Sequence, residues 1–139
     1  MGLTYAEVEL INAGDVEMAR RHFIGEEEVK RMRVNLLVDS GAYNLCIKES
    51  IQSQLQLPFV EKKTAETADS RRMECDIVGP VQVKFKNRNT FCTAMVLPGD
   101  NEPLLGAIPM EDMDVLIHPL RQELIVNPEH PYMAQMKLK

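Results

Sequence analysis

Residues 36–47 read LLVDSGAYNLCI, and the fold turns on how this stretch is understood. Leu36, Leu37 and Val38 end an apolar run, and Asp39, Ser40 and Gly41 follow at once. Upstream, EEEVKRMRVNLLV (26–38) alternates with a period of two. Met32, Val34 and Leu36 fall on one face, and Arg31, Arg33 and Asn35 on the other, as in a half-buried strand. From Leu36 to Val38 both faces are apolar, the pattern of a strand entering the centre of a domain. A buried strand thus delivers an aspartate at its end. A β-turn with Asp and Gly in favoured positions explains the local sequence. A catalytic carboxylate explains it as well.

Most of the remaining chain also reads as strands. TYAEVELIN (4–12) alternates, with Tyr5, Val8 and Leu10 or Ile11 as core candidates, and NAGD (12–15) supplies a turn. In IKESIQSQLQL (47–57), Ile47, Ile51 and Leu55 recur every four residues, which predicts one apolar stripe on a short helix ending before Pro58. FVEKKTAETADSRRMECDIV (59–78) reads as a polar hairpin projecting into solvent, with its tip over residues 67–71. GPVQVKFKNRNTFCTAMVLPGD (79–100) is a second hairpin, in which Val81, Val83 and Phe85 alternate and NRN turns the chain. Beyond it, Leu104, Leu105 and Gly106 form an apolar pair broken by glycine, and Pro109 suits the first position of a short helix over MEDM. DVLI and ELIV are two short strands around HPLRQ, and the tail from Glu129 has no periodicity and is expected to be loose.

Composition narrows the function. The 139 residues predict one domain, with 45% hydrophobic and 27% charged residues, ordinary for a globular protein. The net charge is −5, and the basic residues are scattered, which argues against nucleic acid as a partner, because a phosphate-binding surface needs a basic patch. No apolar run approaches the roughly 18 residues of a membrane-spanning helix. The amino terminus lacks a signal-peptide layout, so a cytoplasmic protein without a membrane partner is expected. Cys46, Cys75 and Cys92 form no CxxC pair and read as small core hydrophobes. His22, His118 and His130 are far apart, match no ligand pattern, and predict no metal site. A Cys–His nucleophile, for example Cys46 with His118, has no motif behind it.

If Asp39 is catalytic, it needs a companion. A lone carboxylate is a weak base at neutral pH. Two carboxyls held together share one proton, so the charged member can activate water while the protonated one donates to a substrate carbonyl. Gly41 suits close backbone packing and unusual backbone angles, and the Ser40 hydroxyl can bond backbone and lock the turn. The chain carries only one Asp-Ser/Thr-Gly triplet. The second carboxylate must therefore come from a second copy of the chain, across a two-fold axis.

In this combination the sequence resembles the retropepsin-like aspartic proteases, specifically the small single-domain bacterial members. The likeness runs from about Thr4 to Pro131 and rests on four features in order. They are LLVDSGA, the helix IKESIQSQLQL, the hairpin tip TADSRRM, and LLGAIPMEDMDVLIHP; the closing RQELIVNPEHP also looks like the bacterial branch. The resemblance implies an all-β, retropepsin-like acid-protease barrel with one or two short helices, acting as a homodimer. It would form a single domain over 1–139, with its core over about 4–131 and a loose tail at 132–139. It implies an aspartic endopeptidase of polypeptide substrates that uses neither metal nor organic cofactor. Asp39 would be the catalytic aspartate, with Ser40 bonding across the dimer axis and Gly41 and Ala42 completing the motif. Leu104, Leu105 and Gly106 would pack behind the catalytic loop, and Thr67, Ala68, Asp69, Ser70 and Arg71 would form the tip of a flap over the substrate. The chain departs from the pattern in having Ser where Thr is commoner and in lacking glycine at the flap tip. The alternative is a catalytically silent peptide-binding or dimerisation domain on the same fold.

Overall fold

The computed structural model describes residues 2–67, 69–99 and 101–138. Its first half runs β1 (Tyr5–Asn12), α1 (Ala13–Arg20), β2 (Arg31–Val38), β3 (Leu45–Lys48), α2 (Glu49–Leu55) and β4 (Phe59–Glu66). The second half runs β5 (Arg72–Phe85), β6 (Arg88–Leu97), β7 (Leu104–Leu105), α3 (Ala107–Met113), β8 (Val115–His118) and β9 (Glu123–Val126). Seven strands form one mixed sheet in the order β1-β2-β7-β3-β6-β5-β4, and β1 pairs again with β5, so that the sheet nearly closes on itself. β8 and β9 form a separate two-stranded ribbon. The protein is mostly β, as its period-two segments predict.

The principal core fills the inside of this sheet. Leu10, Leu36, Leu45, Ile47, Val81, Val83 and Leu105 are fully buried there. Each such aliphatic side chain contributes about 1.5–3 kcal/mol by leaving water. Met32 and Val34 pack against the same core beside Leu36, while Arg31, Arg33 and Asn35 are exposed, as the alternation requires. On β1, Val8, Leu10 and Ile11 are buried as expected, and only Tyr5 needs correcting. Ala6, Val8 and Leu10 point inward, whereas Tyr5 shares the outer face with Glu7 and Glu9 and donates its hydroxyl to Glu102 Oε1 at 2.8 Å.

Three helices are present among the described residues rather than one or two. NAGD does not end in a turn but opens α1, because the Asn12 side chain accepts a hydrogen bond from Asp15 N at 3.0 Å and caps the first turn. The same side chain donates to Leu55 O and Gln56 O at 2.9 and 3.3 Å, so one buried amide joins the start of α1 to the end of α2. Ile51 and Leu55 lie on the buried stripe of α2, but Ile47 belongs to β3, where pairing with β6 holds LCIK extended. α3 starts at Ala107, two residues before Pro109.

The polar hairpin is β4–β5, and the second hairpin is β5–β6. β5 serves both, bending at an irregularity between Val78 and Val81, where Gly79 has φ 148°, a conformation that side chains rarely tolerate. The second hairpin turns at Lys86–Asn87 rather than over NRN, because Arg88 already pairs with Phe85 and is buried. The segment from Glu129, expected to be loose, is anchored mainly at its start, and residues 132–138 are exposed without helix or strand. Asn87 Nδ2 donates to Pro131 O at 3.0 Å, Arg88 donates to His130 O, and Asp114 Oδ2 accepts from Gln135 N at 3.1 Å.

Candidate active site

Strand β7 is two residues long, yet it fixes the loop that carries Asp39. It pairs in parallel with the end of β2, Leu37 opposite Leu104 and Val38 opposite Leu105, and antiparallel with β3 at Cys46. The loop over residues 39–44 leaves β2 and enters β3 around the end of β7. Asp39 N donates to Leu105 O at 3.0 Å, Ala107 N to Ala42 O at 2.7 Å, and Ile108 N to Tyr43 O at 2.9 Å. Gly106 is buried against this loop: a Cβ there would lie 2.4 Å from Asn44 O and 2.7 Å from Asn44 N. Its φ of −92° suits any residue, so glycine is needed for the close approach alone. Leu104, Leu105 and Gly106 thus stand behind the loop.

Asp39 is half-buried, and Ser40 and Gly41 are exposed. Asp39 Oδ1 accepts from Gly41 N at 2.9 Å, and Ala42 N donates to Asp39 O at 3.1 Å, which closes a tight turn. Two local expectations change here. The Asp39 carboxylate, rather than the Ser40 hydroxyl, locks the turn; Ser40 makes no hydrogen bond through its side chain among the described residues. Gly41 does not adopt a left-handed conformation; what it supplies is room, since a Cβ would come within 3.2 Å of Asp39 Oδ1.

Gly41 and Ala42 open onto a cleft of about 610 Å³. Its wall is apolar, with Cys46, Met73, Met95, Leu97 and Leu104 on the outer face of the sheet, and the hairpin contributes Lys63, Ala65, Glu66 and Thr67. On the other side of the loop, Ser40 borders a groove of about 340 Å³ with Ala107, Met110, Val115 and Ile117. Of the predicted site residues, Gly41, Ala42, Leu104 and Thr67 therefore line one cleft. Asp69, Ser70 and Arg71 lie beyond it at the exposed hairpin tip, and Ala68 falls outside the described residues. Tyr43, Asn44, Lys63, Met73, Met95 and Leu97 line the cleft although the sequence does not mark them, and so does Cys46, which the sequence marks only as a core cysteine or a nucleophile without a motif. Alternation along 59–78 could have placed Lys63, Ala65 and Met73 on one face, but their meeting with Cys46 and Met95 depends on non-local pairing.

The hairpin tip replaces glycine with a polar network. Thr67 N donates to Arg71 O at 2.8 Å and Ser70 N to Thr67 O at 3.0 Å, while Arg71 Nε pairs with Asp69 Oδ2 at 3.1 Å. Thr67 Oγ1 bonds Asp69 Oδ1, and this bond leads the causes that hold the Asp69 carboxyl below its ordinary pKa. Ser70 takes φ 66°, the left-handed conformation in which glycine would be expected. At the cleft wall, the Cys46 thiol is pushed up to about 11 by burial, then by Cys75 and by the charge of Asp39, so it is protonated at neutral pH. Among the described residues no group of three His, Cys, Asp or Glu is placed to hold a metal ion, and no helix is long and apolar enough to cross a membrane. Neither the protein-family models nor the curated proteins include a match to this chain.

Proposed function

We propose that this chain is one subunit of a homodimeric, retropepsin-like aspartic endopeptidase, its near-closed sheet forming the acid-protease barrel. One observation carries the reading: Asp39 stands at the end of a buried strand, in a loop that Leu105 and Gly106 brace from behind and whose Gly41 and Ala42 line a cleft bordered by a hairpin, although Asp39 itself does not line it. Fold alone would not be enough. In the dimer, the two Asp39 carboxyls face each other across the axis and share one proton. The charged member takes a proton from water as the water oxygen attacks the peptide carbonyl carbon, and the protonated member donates to the carbonyl oxygen. Proton transfer to the amide nitrogen then lets the C–N bond break. The chemistry uses neither metal nor organic cofactor. The β4–β5 hairpin acts as the flap, closing over an extended polypeptide.

The second reading, a catalytically silent peptide-binding or dimerisation domain, is favoured by the hairpin tip. There Ser70 and the Thr67–Asp69–Arg71 network stand in place of a flexible glycine. Peptide cleavage from acidic to neutral pH, with sedimentation of the same samples, separates the two. The endopeptidase is a dimer, and Asp39→Asn lowers its kcat by several orders of magnitude while the dimer persists. Equal cleavage by that variant, or a strict monomer that cleaves peptides, would sink the dyad.

A further inference from the structure

The wall of the cleft is largely apolar, and among the described residues Lys63 is the one cation that lines it. β4 and β5 pair so that Lys63 lies opposite Cys75 and Ala65 opposite Met73. Alternate residues of a strand share a face. Cys75, Ala65 and Met73 belong to one apolar cluster, so Lys63 stands on the same face and lines the cleft. Its neighbour Lys62 points the other way and pairs with Asp76 at 3.2 Å. Among the described residues Lys63 enters no ion pair and no side-chain hydrogen bond. Two carboxylates are near it along the strand. Glu61 shares its face one step farther from the tip, and Glu66 lines the cleft three residues closer; neither comes within ion-pair distance.

We propose that Lys63 makes the cleft select polypeptide segments that carry a carboxylate side chain some residues away from an apolar one. This rests on the cleft's being the peptide-binding site of the proposed function. The apolar residue sits against Met73, Met95 and Leu97, and the lysine stem lies along the same wall with its ammonium at the edge. Lys63 is four residues back from Thr67, or roughly 13 Å at about 3.3 Å per residue. An extended peptide rises at a similar rate, so a carboxylate that meets Lys63 lies about four residues from the peptide residue beside Thr67. As the peptide displaces water, the attraction between the two charges strengthens, and a basic side chain at that position is repelled.

The test uses an apolar peptide scaffold in which a single Glu, Gln or Lys is walked along the sequence. Cleavage by the wild type is read as kcat/KM, and binding to the Asp39→Asn variant is read by fluorescence anisotropy at low and high salt. At one position Glu exceeds Gln by about threefold to fivefold, the range of a partly exposed ion pair, and high salt narrows the gap. Lys63→Glu reverses the preference in favour of Lys, and Lys63→Met, which keeps the apolar stem, removes it. Equal handling of Glu and Gln at every position overturns the inference, while cleavage by the wild type leaves the endopeptidase reading standing. Glu-selective binding without cleavage supports Lys63 and removes that reading. Neither binding nor cleavage of any peptide overturns both.

Discussion

Replacing Gly106 by alanine tests the bracing of the Asp39 loop without reference to activity. The backbone angles at 106 suit alanine, so the whole effect comes from space. The added Cβ would lie 2.4 Å from Asn44 O, 2.7 Å from Asn44 N and 2.7 Å from Tyr43 C, all backbone atoms with no flexible end to swing aside. Relief to an ordinary contact near 3.4 Å needs a shift of about 1 Å between the start of α3 and the loop, and overpacking of this kind costs about 1–3 kcal/mol. The same shift stretches the bonds from Asp39 N to Leu105 O, from Ala107 N to Ala42 O, and from Ile108 N to Tyr43 O, each with a net worth of about 1 kcal/mol. Partial loss of these brings the total to about 3 kcal/mol. Urea unfolding at a fixed protein concentration should show the midpoint falling by about 1.5 M, taking a slope near 2 kcal/mol/M. Amide exchange should quicken at Asp39, Ala107 and Ile108 in particular. A midpoint within about 0.3 M of wild type, with protection at those amides unchanged, would refute the idea that glycine is required by close packing there.

Two further predictions rest on single polar side chains. Asn12→Ala removes the cap of α1 and the two bonds to the end of α2, and should cost about 2–3 kcal/mol in the same unfolding assay; a loss below about 0.5 kcal/mol would show that the two helices do not depend on this link. At Asp114, burial acts to raise the pKa, but bonds from Asn127, Gln135 N and His130 outweigh it and hold the carboxyl below its ordinary 3.8. A carboxyl with a lowered folded pKa adds stability that is full above its unfolded value and drains away as the pH falls through the folded one, here below about 3.8. Asp114→Asn should therefore be less stable than wild type near neutrality, with the gap closing in acid. A constant gap across that range would mean that Asp114 does not contribute through its charge.

Where the fold was legible in the sequence, a local period carried it. The alternation of 31–36, the breaks at 67–71 and the abrupt halt of LLV at Asp39 each follow from residues adjacent in sequence, and the hairpin and the strand β2 lie where they predict. The misreadings share one cause: a distant partner decided the local state. LCIK is apolar on both faces, so helix and strand patterns fit it equally, and pairing with β6 settles the matter. NAGD has turn composition, but Asn12 uses its side chain to start a helix and to hold the end of another more than forty residues away. The tail has no periodicity because its order comes from Asp114, Asn87 and Arg88 rather than from a buried stripe of its own. The cleft was legible only in part: the triplet and Leu104 mark one side of it and the second hairpin joins β5 to β6, but the wall also needs β3 beside β6, a pairing the sequence does not show.

The loop that carries Asp39 is stiff on one side and bare on the other. Behind it stand a two-residue strand paired on both edges, three backbone hydrogen bonds and a glycine packed against peptide units. In front, Ser40 and Gly41 are exposed, and the Asp39 carboxylate finds only Gly41 N among the described residues. A flexible loop would have to be ordered when a second copy docked, at about 1–2 kcal/mol per residue fixed. Here the chain has met that cost by folding, so the carboxylate is already held in place before any encounter. Such bracing is of little use to a solvated turn, which tolerates motion at no loss. It is of use to a group that must meet its own counterpart at hydrogen-bond distance, where an error of 1 Å is felt strongly in rate. The asymmetry of the loop, more than the Asp-Ser-Gly triplet itself, supports the proposal that Asp39 is half of a site completed by a second chain.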